Sequence, residues 1–415
     1  MVKKYKNYVV TFGTELTIMI LGFLVFRVAN QQFDEYGFSE YSILRRTVSF
    51  LLPLMMIGLG VSIPRYVSLE SNRNSYFFAG LIWISASGVL LASILGIGSN
   101  FFSEIFFGSD KYSDFILPMG MLLLTYGLHA IIYGFLRGKL NIYLANFVQF
   151  VNVGIMPLTI LFLSDSVLDL IYLNTISLFL SCVIVIGVIF KKYDIEINKK
   201  LMKEDSMVLL RYGLPRVLGD FALLAILTLP TYIVLEMQND ILIGGDVAYC
   251  ITLLNLVGAA FAPISLVLLP EIASFMNQKR KDLIVHRFKV FVLICVALTT
   301  FGYVLFYFFT EFFLNLLLGS NFRSNLIGYA RIVLLSSFGY GLYIILRSFL
   351  DAIHVRATNA YNLLICLGVY LIFVYFGVKN ESSVEYYLYS FVISILLLGL
   401  ITLIQTYLNI KKIKW

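Results

Sequence analysis

The chain has 415 residues, of which 60% are hydrophobic and only 13% charged, and its mean hydropathy is +0.89. A soluble domain carries about 25% charged residues, so the composition excludes a water-soluble fold and points to a polytopic membrane protein. The net charge of +7 does not call for a nucleic acid, because a membrane protein gathers its surplus Lys and Arg on the cytoplasmic side.

A bilayer core about 30 Å thick needs roughly 20 apolar residues per helix. About twelve such runs follow one another, near 8–29, 41–63, 76–98, 115–137, 144–163, 168–190, 207–235, 246–269, 288–310, 325–349, 359–377 and 383–408. The first follows MVKKYK, which superficially resembles a secretion signal. Glu15 interrupts it and no Ala-x-Ala site follows, so it reads as an uncleaved first helix. With the N-terminus placed inside, the outer loops carry only Lys111, Arg323 and Lys379, while most of the remaining Lys and Arg fall on the opposite side. This alternation predicts an all-α protein with both termini cytoplasmic.

The longest polar connection, KKYDIEINKKLMKED (191–205), lies between the sixth and seventh runs. It divides the chain into an N-terminal six-helix lobe (1–190), a cytoplasmic linker (191–205) and a C-terminal six-helix lobe (206–415). The lobes echo each other. Tyr133, Leu136 and Arg137, closing the fourth run, recur as Tyr343, Leu346 and Arg347, 210 positions on, each followed by an Asn (Asn146, Asn359). Pro64 and Pro270 each close a run and precede a charge, 206 positions apart. A weaker echo pairs Tyr8 and Glu15 with Tyr212 and Asp220. Six is even, so both lobes start on the same side and are parallel repeats, a plan some transporters use.

Charges inside the apolar runs carry the functional signal, since a charge at the bilayer centre costs at least about 2.5–3.5 kcal/mol. Arg27, Arg45, Arg46 and Arg331 fall in the outer third of their helices. Two readings stay open: snorkelling to headgroups, or a cationic lining for an anionic substrate. Arg45 and Arg46 are adjacent and point about 100° apart, so at most one faces a given cavity squarely. Arg216 with Asp220, and Arg347 with Asp351, have the spacing of intrahelical ion pairs. Glu15 has no basic residue within a turn of its own helix.

Other chemistry finds little support. GFLRGKL (134–140) has one residue too few between its glycines for a phosphate loop, and Leu140 replaces the Ser or Thr. No nucleotide site, cofactor or metal is therefore expected. His129, His286 and His354 lack metal-ligand spacing, and Cys182, Cys250, Cys295 and Cys366 each sit in an apolar run. Asn380-Glu381-Ser382 is a glycosylation tripeptide that matters only in a eukaryote.

The two-lobe plan, the Tyr-x-x-Leu-Arg closures, the Pro closures and RYGLPRVLGD (211–220) at the start of the seventh run together resemble the Wzx-type O-antigen and polysaccharide flippases. These belong to the MOP superfamily with the MATE transporters. The resemblance covers essentially the whole chain, and Tyr-Gly-Leu-Pro is its most specific part. One departure is that the seventh run ends LPTYIV (229–234), without the acid-basic-aromatic group of many relatives. The resemblance implies a MOP/MATE-like fold in a bacterial inner membrane. Its substrate would be an undecaprenyl-pyrophosphate-linked oligosaccharide, an O-antigen or capsule repeat unit, moved by alternating access rather than by an enzyme reaction. The pyrophosphate would meet Arg27, Arg45, Arg46, Arg216, Arg331 or Arg347. Glu15, with Asp220 as its counterpart, would respond to a coupling ion. Whether that ion is a proton or Na⁺, and whether polysaccharide polymerase machinery is a partner, stay open. Two rivals also stand: a membrane polysaccharide polymerase and a MATE-like cation-coupled drug exporter.

Overall fold

A computed structural model describes residues 2–69, 73–193, 195, 199–353 and 358–413. Residues 194 and 196–198 of the predicted linker, with His354 and Arg356, lie outside the described residues, as do the side chains of Tyr8 and Pro270 that enter the repeat echoes. The described residues form helices and short connections, without strands. Two compact units, Met1–Phe221 and Ala222–Trp415, divide the chain.

Unit 1 begins with α1 (Val2–Gln32), α2 (Glu35–Met56) and α3 (Leu59–Leu69). They are followed by α4 (Ser75–Ile97), α5 (Ser99–Phe107), a 3₁₀ turn (Asp110–Tyr112) and α6 (Ser113–Gly138). Next come α7 (Ile142–Gln149), a π turn (Phe150–Ile155), α8 (Met156–Leu161), α9 (Val167–Tyr193) and the first half of α10 (Lys199–Gln238). Unit 2 holds the rest of α10, then α11 (Ile241–Asn277), α12 (Lys281–Phe308), α13 (Thr310–Leu318), α14 (Asn325–Leu334), α15 (Ser337–Ile353), α16 (Thr358–Lys379) and α17 (Val384–Lys412). Among the described residues, eleven helical segments are long and apolar enough to span a bilayer, and α2 with α3, bent by 50°, makes a twelfth if the pair is one span.

The two helices that carry Tyr-x-x-Leu-Arg are the packing centres of their units. α6 lies against α3, α4 and α9, and α15 against α11, α12 and α17. This accounts for the repeated apolar positions, since Leu136 and Leu346 are both fully buried. Lipid tails are as apolar as Leu, so helix association in a bilayer depends on close packing and small residues. α15 and α17 show this at a glycine crossing, where a Cβ on Gly339 would stand 2.2 Å from the Ile395 carbonyl oxygen.

The break between α2 and α3 is local chemistry. Ile57 and Gly58 take successive left-handed conformations, φ 47° and 75°, a region that glycine enters without the Cβ penalty. Gly58 then lies against the backbone of Gly213 on α10, where a Cβ would be 2.3 Å from the Gly213 carbonyl. No side chain fits at that crossing.

Two features differ from the sequence expectation. Most of 191–205 is helical: α9 runs on to Tyr193 and α10 starts at Lys199. The polar first turns of α10 are held by Asp205, wholly buried and 2.5 Å from Arg73. Each unit also contains a short helix the hydropathy pattern does not show, α5 and α13, whose first residues are Ser99 and Thr310. They are nine-residue turns between long helices, too short to register as a separate apolar run.

Near the charged end of α6, Lys139 donates to Asn74 Oδ1 and lies 5.5 and 5.9 Å from the ring centres of Phe135 and Tyr193. Burial holds this ammonium below the ordinary lysine pKa. Asn74 in turn donates to the Tyr193 carbonyl, so the basic motif is tied into the ends of α4 and α9.

Candidate functional site

Unit 1 encloses a cavity of ≈ 360 Å³. Tyr41 and Arg45 on α2, Tyr126, His129 and Tyr133 on α6, Gln149 at the end of α7 and Asn174 on α9 supply its polar wall. Ser49 adds a hydroxyl that donates to the Arg45 carbonyl, and the rest of the wall is apolar, including Val25, Leu44, Val48 and Ile171. This mixture, mostly apolar with a few placed polar groups, is the usual make-up of a small-molecule site.

Arg45 is exposed to this space. Its Nη1 donates to the Tyr41 hydroxyl at 3.2 Å, and its guanidinium stands 5.0 Å from the Phe26 ring centre and 5.9 Å from that of Tyr41. Phe26 is fixed edge-on against Tyr41 at 5.3 Å. Among the described residues no carboxylate forms an ion pair with Arg45. Its charge is held in place by aromatic faces and left for an external partner.

His129 is buried and fully engaged. Its Nε2 meets Gln149 Oε1 at 2.7 Å, and its Nδ1 meets Asn152 Nδ2 at 3.1 Å. Asn152 Oδ1 accepts from Ser181 at 2.7 Å. The pattern fits a neutral imidazole with its hydrogen on Nε2, accepting at Nδ1. Gln149 precedes the π turn and Asn152 lies inside it, and π turns of this kind are frequent at functional sites.

Below His129 on the same face, Tyr133 stacks on its ring at 6.3 Å. The Tyr133 hydroxyl donates to Glu15 Oε1 at 3.1 Å and accepts from Arg137 Nη1 at 2.8 Å. Glu15 lacks a partner on its own helix, and the fold supplies one from α6. Nearby, Asn146 donates to Thr11 at 3.2 Å.

The other sequence candidates lie elsewhere. Arg46 is buried at 5% exposure, outside this lining, as the 100° offset from Arg45 requires. Arg27 is half-buried on α1 and does not line the cavity. Arg216 lies 3.8 Å over the Tyr212 ring and donates to the Tyr212 carbonyl. Arg65 covers the same ring at 4.5 Å and donates to its hydroxyl at 2.7 Å. Asp220 is exposed. In unit 2, Arg331 donates from Nε to Thr310 at 2.9 Å and sits 4.8 Å over Tyr307. Arg347 rests 5.9 Å from the Tyr343 ring, and Asn359 donates to the Arg347 carbonyl and to Asp351 Oδ1.

Sequence reasoning missed the site's neutral groups, Tyr126, His129, Gln149, Asn152 and Asn174. It also missed a pattern that was visible. Four of the arginines sit four residues after a tyrosine and rest on its ring: Tyr41–Arg45, Tyr133–Arg137, Tyr212–Arg216 and Tyr343–Arg347. Residues four apart share a helix face, so this recurrence marks arginines that are held by tyrosines. Two buried acids were missed as well, Asp205 and Asp246, the latter 2.7 Å from Arg323.

The fold is similar to that of solved transporters of the MOP superfamily. It is similar over 97% of this chain and 98% of the other to an inward-facing multidrug resistance MATE family transporter, with TM-score 0.73 and 12% identity. It is also similar to the eukaryotic MATE transporter AtDTX14 (TM-score 0.70, 12% identity, 100% and 97% covered). A third similar structure is a MOP superfamily transporter from Pyrococcus furiosus whose binding pocket is described as having reversed polarity (TM-score 0.69, 13% identity, 98% and 96% covered). No curated protein matches the chain in sequence. The model of one family, described as polysaccharide biosynthesis protein, matches residues 5–276, and the chain belongs to that family.

Proposed function

We propose that the chain is a flippase that moves a polyprenyl-pyrophosphate-linked oligosaccharide from the cytoplasmic to the outer leaflet of a bacterial inner membrane by alternating access. Both termini and the 191–205 segment are cytoplasmic. The carrying observation is Arg45: a guanidinium without a carboxylate partner among the described residues, exposed to a mainly apolar cavity with a few polar groups, in a chain of a polysaccharide biosynthesis family. Arginine meets phosphate as a planar fork, and a pyrophosphate crossing a low-dielectric layer needs such a partner. A cationic drug would be repelled by the same group. Arg27, Arg46, Arg216, Arg331 and Arg347 form the wider set of cationic positions. Glu15 is the ion-responsive group, with Asp220 its counterpart; the Tyr133 hydroxyl on Glu15 gives it a route to report its protonation to Arg137.

Deleting the gene tests this. Surface polysaccharide should disappear while its lipid-linked repeat unit accumulates on the inner leaflet, and Arg45→Ala should fail to restore export where wild type succeeds. Continued delivery of repeat units with altered polymer length would favour a polymerase instead.

A further inference from the structure

Donors and acceptors in the unit 1 cavity do not match an anion alone. Asn174 is 8% exposed and lines the cavity, yet its Oδ1 has no hydrogen-bond donor. A buried acceptor without a donor costs free energy comparable to a lost hydrogen bond, and a phosphate, which only accepts, cannot relieve it. Gln149 commits its Oε1 to His129, which leaves its NH₂ donors for the cavity. The Tyr126 hydroxyl, also on the wall, has no hydrogen-bond partner among the described residues. The uncommitted set is therefore an acceptor and a donor group at Asn174, donors at Gln149 and Arg45, an acceptor at the Ser49 hydroxyl, and a group at Tyr126 that does both.

A ligand that satisfies all of these carries several hydroxyls, each donor and acceptor. It also has a flat apolar face for the rings of Tyr126 and Tyr133. A cation fails on Arg45, an anion alone fails on Asn174, and a hydrocarbon leaves every polar group unmet. The volume of ≈ 360 Å³ is at the low end of small-molecule sites, about 300–1,000 Å³, which suits one ring rather than an oligosaccharide.

We propose that this cavity is a subsite for a single uncharged sugar ring, read by Asn174, Gln149 and Tyr126, beside the charged contact at Arg45. This deepens the flippase reading and rests on it for the ring's source. His129, engaged on both nitrogens, is a positioning residue that fixes the Gln149 amide with its donors toward the ring. Asn152 and Ser181 fix His129 in turn.

The test uses the full chain in lipid nanodiscs and ligand-observed saturation-transfer NMR. The probes are glucose, inorganic pyrophosphate and tetraethylammonium. Glucose should bind and tetraethylammonium should not. Asn174→Leu and Gln149→Leu should each weaken glucose by about tenfold, as expected when one hydrogen-bonded polar contact is lost, and leave pyrophosphate binding at wild-type values. Asn174→Leu should keep the thermal unfolding midpoint, while Gln149→Leu, which also unpairs His129 Nε2, should lower it modestly without collapsing the fold. Arg45→Ala should lose pyrophosphate and keep glucose. Glucose binding retained in both leucine variants overturns the subsite. Loss of glucose together with a collapsed midpoint in both overturns it too, because the polar groups then serve the fold. If glucose binds and pyrophosphate does not, the phosphate role of Arg45 falls while the ring site stands.

Discussion

The two copies of Tyr-x-x-Leu-Arg share a spelling and differ in wiring. In the first, the Tyr133 hydroxyl bridges Arg137 to Glu15, an acid on another helix, and its ring forms part of a cavity wall. In the second, Tyr343 is buried at 3% exposure with Arg347 as its hydrogen-bond partner, while Asn359 ties the Arg347 carbonyl to Asp351 within the same corner. The Leu of each copy is wholly buried. A duplicated motif thus keeps its packing role in both units, and its polar members face different surroundings. The first copy connects to groups that can change charge or meet a ligand. The second is tied to Asn359 and Asp351 beside it.

The largest test of this difference concerns what the copies share. If both units rest on backbone crossings, Gly339→Val in α15 and Gly58→Val at the α2–α3 break should each abolish folded protein in detergent size-exclusion profiles. Gly13→Val, with nothing within 4 Å of a Cβ, should be silent. Similar yields for all three would show that the crossings are not required.

Next come the buried acids, one per unit among the described residues. Asp205→Ala leaves Arg73 without its 2.5 Å partner, and Asp246→Ala does the same to Arg323 at 2.7 Å. Each should lower the thermal midpoint, Asp205→Ala by less, because Arg73 is partly exposed and keeps Glu204 at 3.6 Å.

The comparison itself is sharpened by Tyr133→Phe against Tyr343→Phe. The first cuts the bridge to Glu15 and should reduce gradient-driven transport at least about tenfold, a change of about 1.4 kcal/mol, with an altered pH profile. The second should leave transport unchanged and cost about 1 kcal/mol of stability, one ordinary hydrogen bond. Equal effects on transport would mean the copies are functionally alike.

A smaller effect on structure, decisive for orientation, is labelling. With the four native cysteines removed, single cysteines at Lys200 and Lys379 should react from opposite sides with an impermeant thiol reagent. Reaction of both from outside would break the two-lobe plan.

The spans and their order were legible because apolar length is fixed by the bilayer, and the motif helices because their leucines repeat with their packing. The bent α2–α3 span was read as one run, since Ile57 and Gly58 break a helix without interrupting hydropathy. The candidate site was half legible. Arg45 and Glu15 stand out as charges among apolar residues, and the 100° offset puts Arg45 and Arg46 on different faces of α2. Asn174, Gln149 and His129 did not, because a neutral polar residue within a membrane helix reads the same whether it packs or binds. Asp205 and Asp246 were hidden for another reason: their arginines, Arg73 and Arg323, lie in separate segments of the chain.

The π turn at Phe150–Ile155 fixes the length of this segment to the residue. Gln149, Val153 and Pro157 all line the cavity at intervals of four, whereas an α-helix at 3.6 residues per turn would drift by about 40° at each such step. The wider turn cancels part of that drift and keeps the three on one straight edge. A single-residue deletion between Gln149 and Pro157 would rotate everything beyond it by about 100° and turn that edge away from its wall. Insertions and deletions are therefore expected to be purged here, while the connection at 162–166 on the far side of α8 can absorb them.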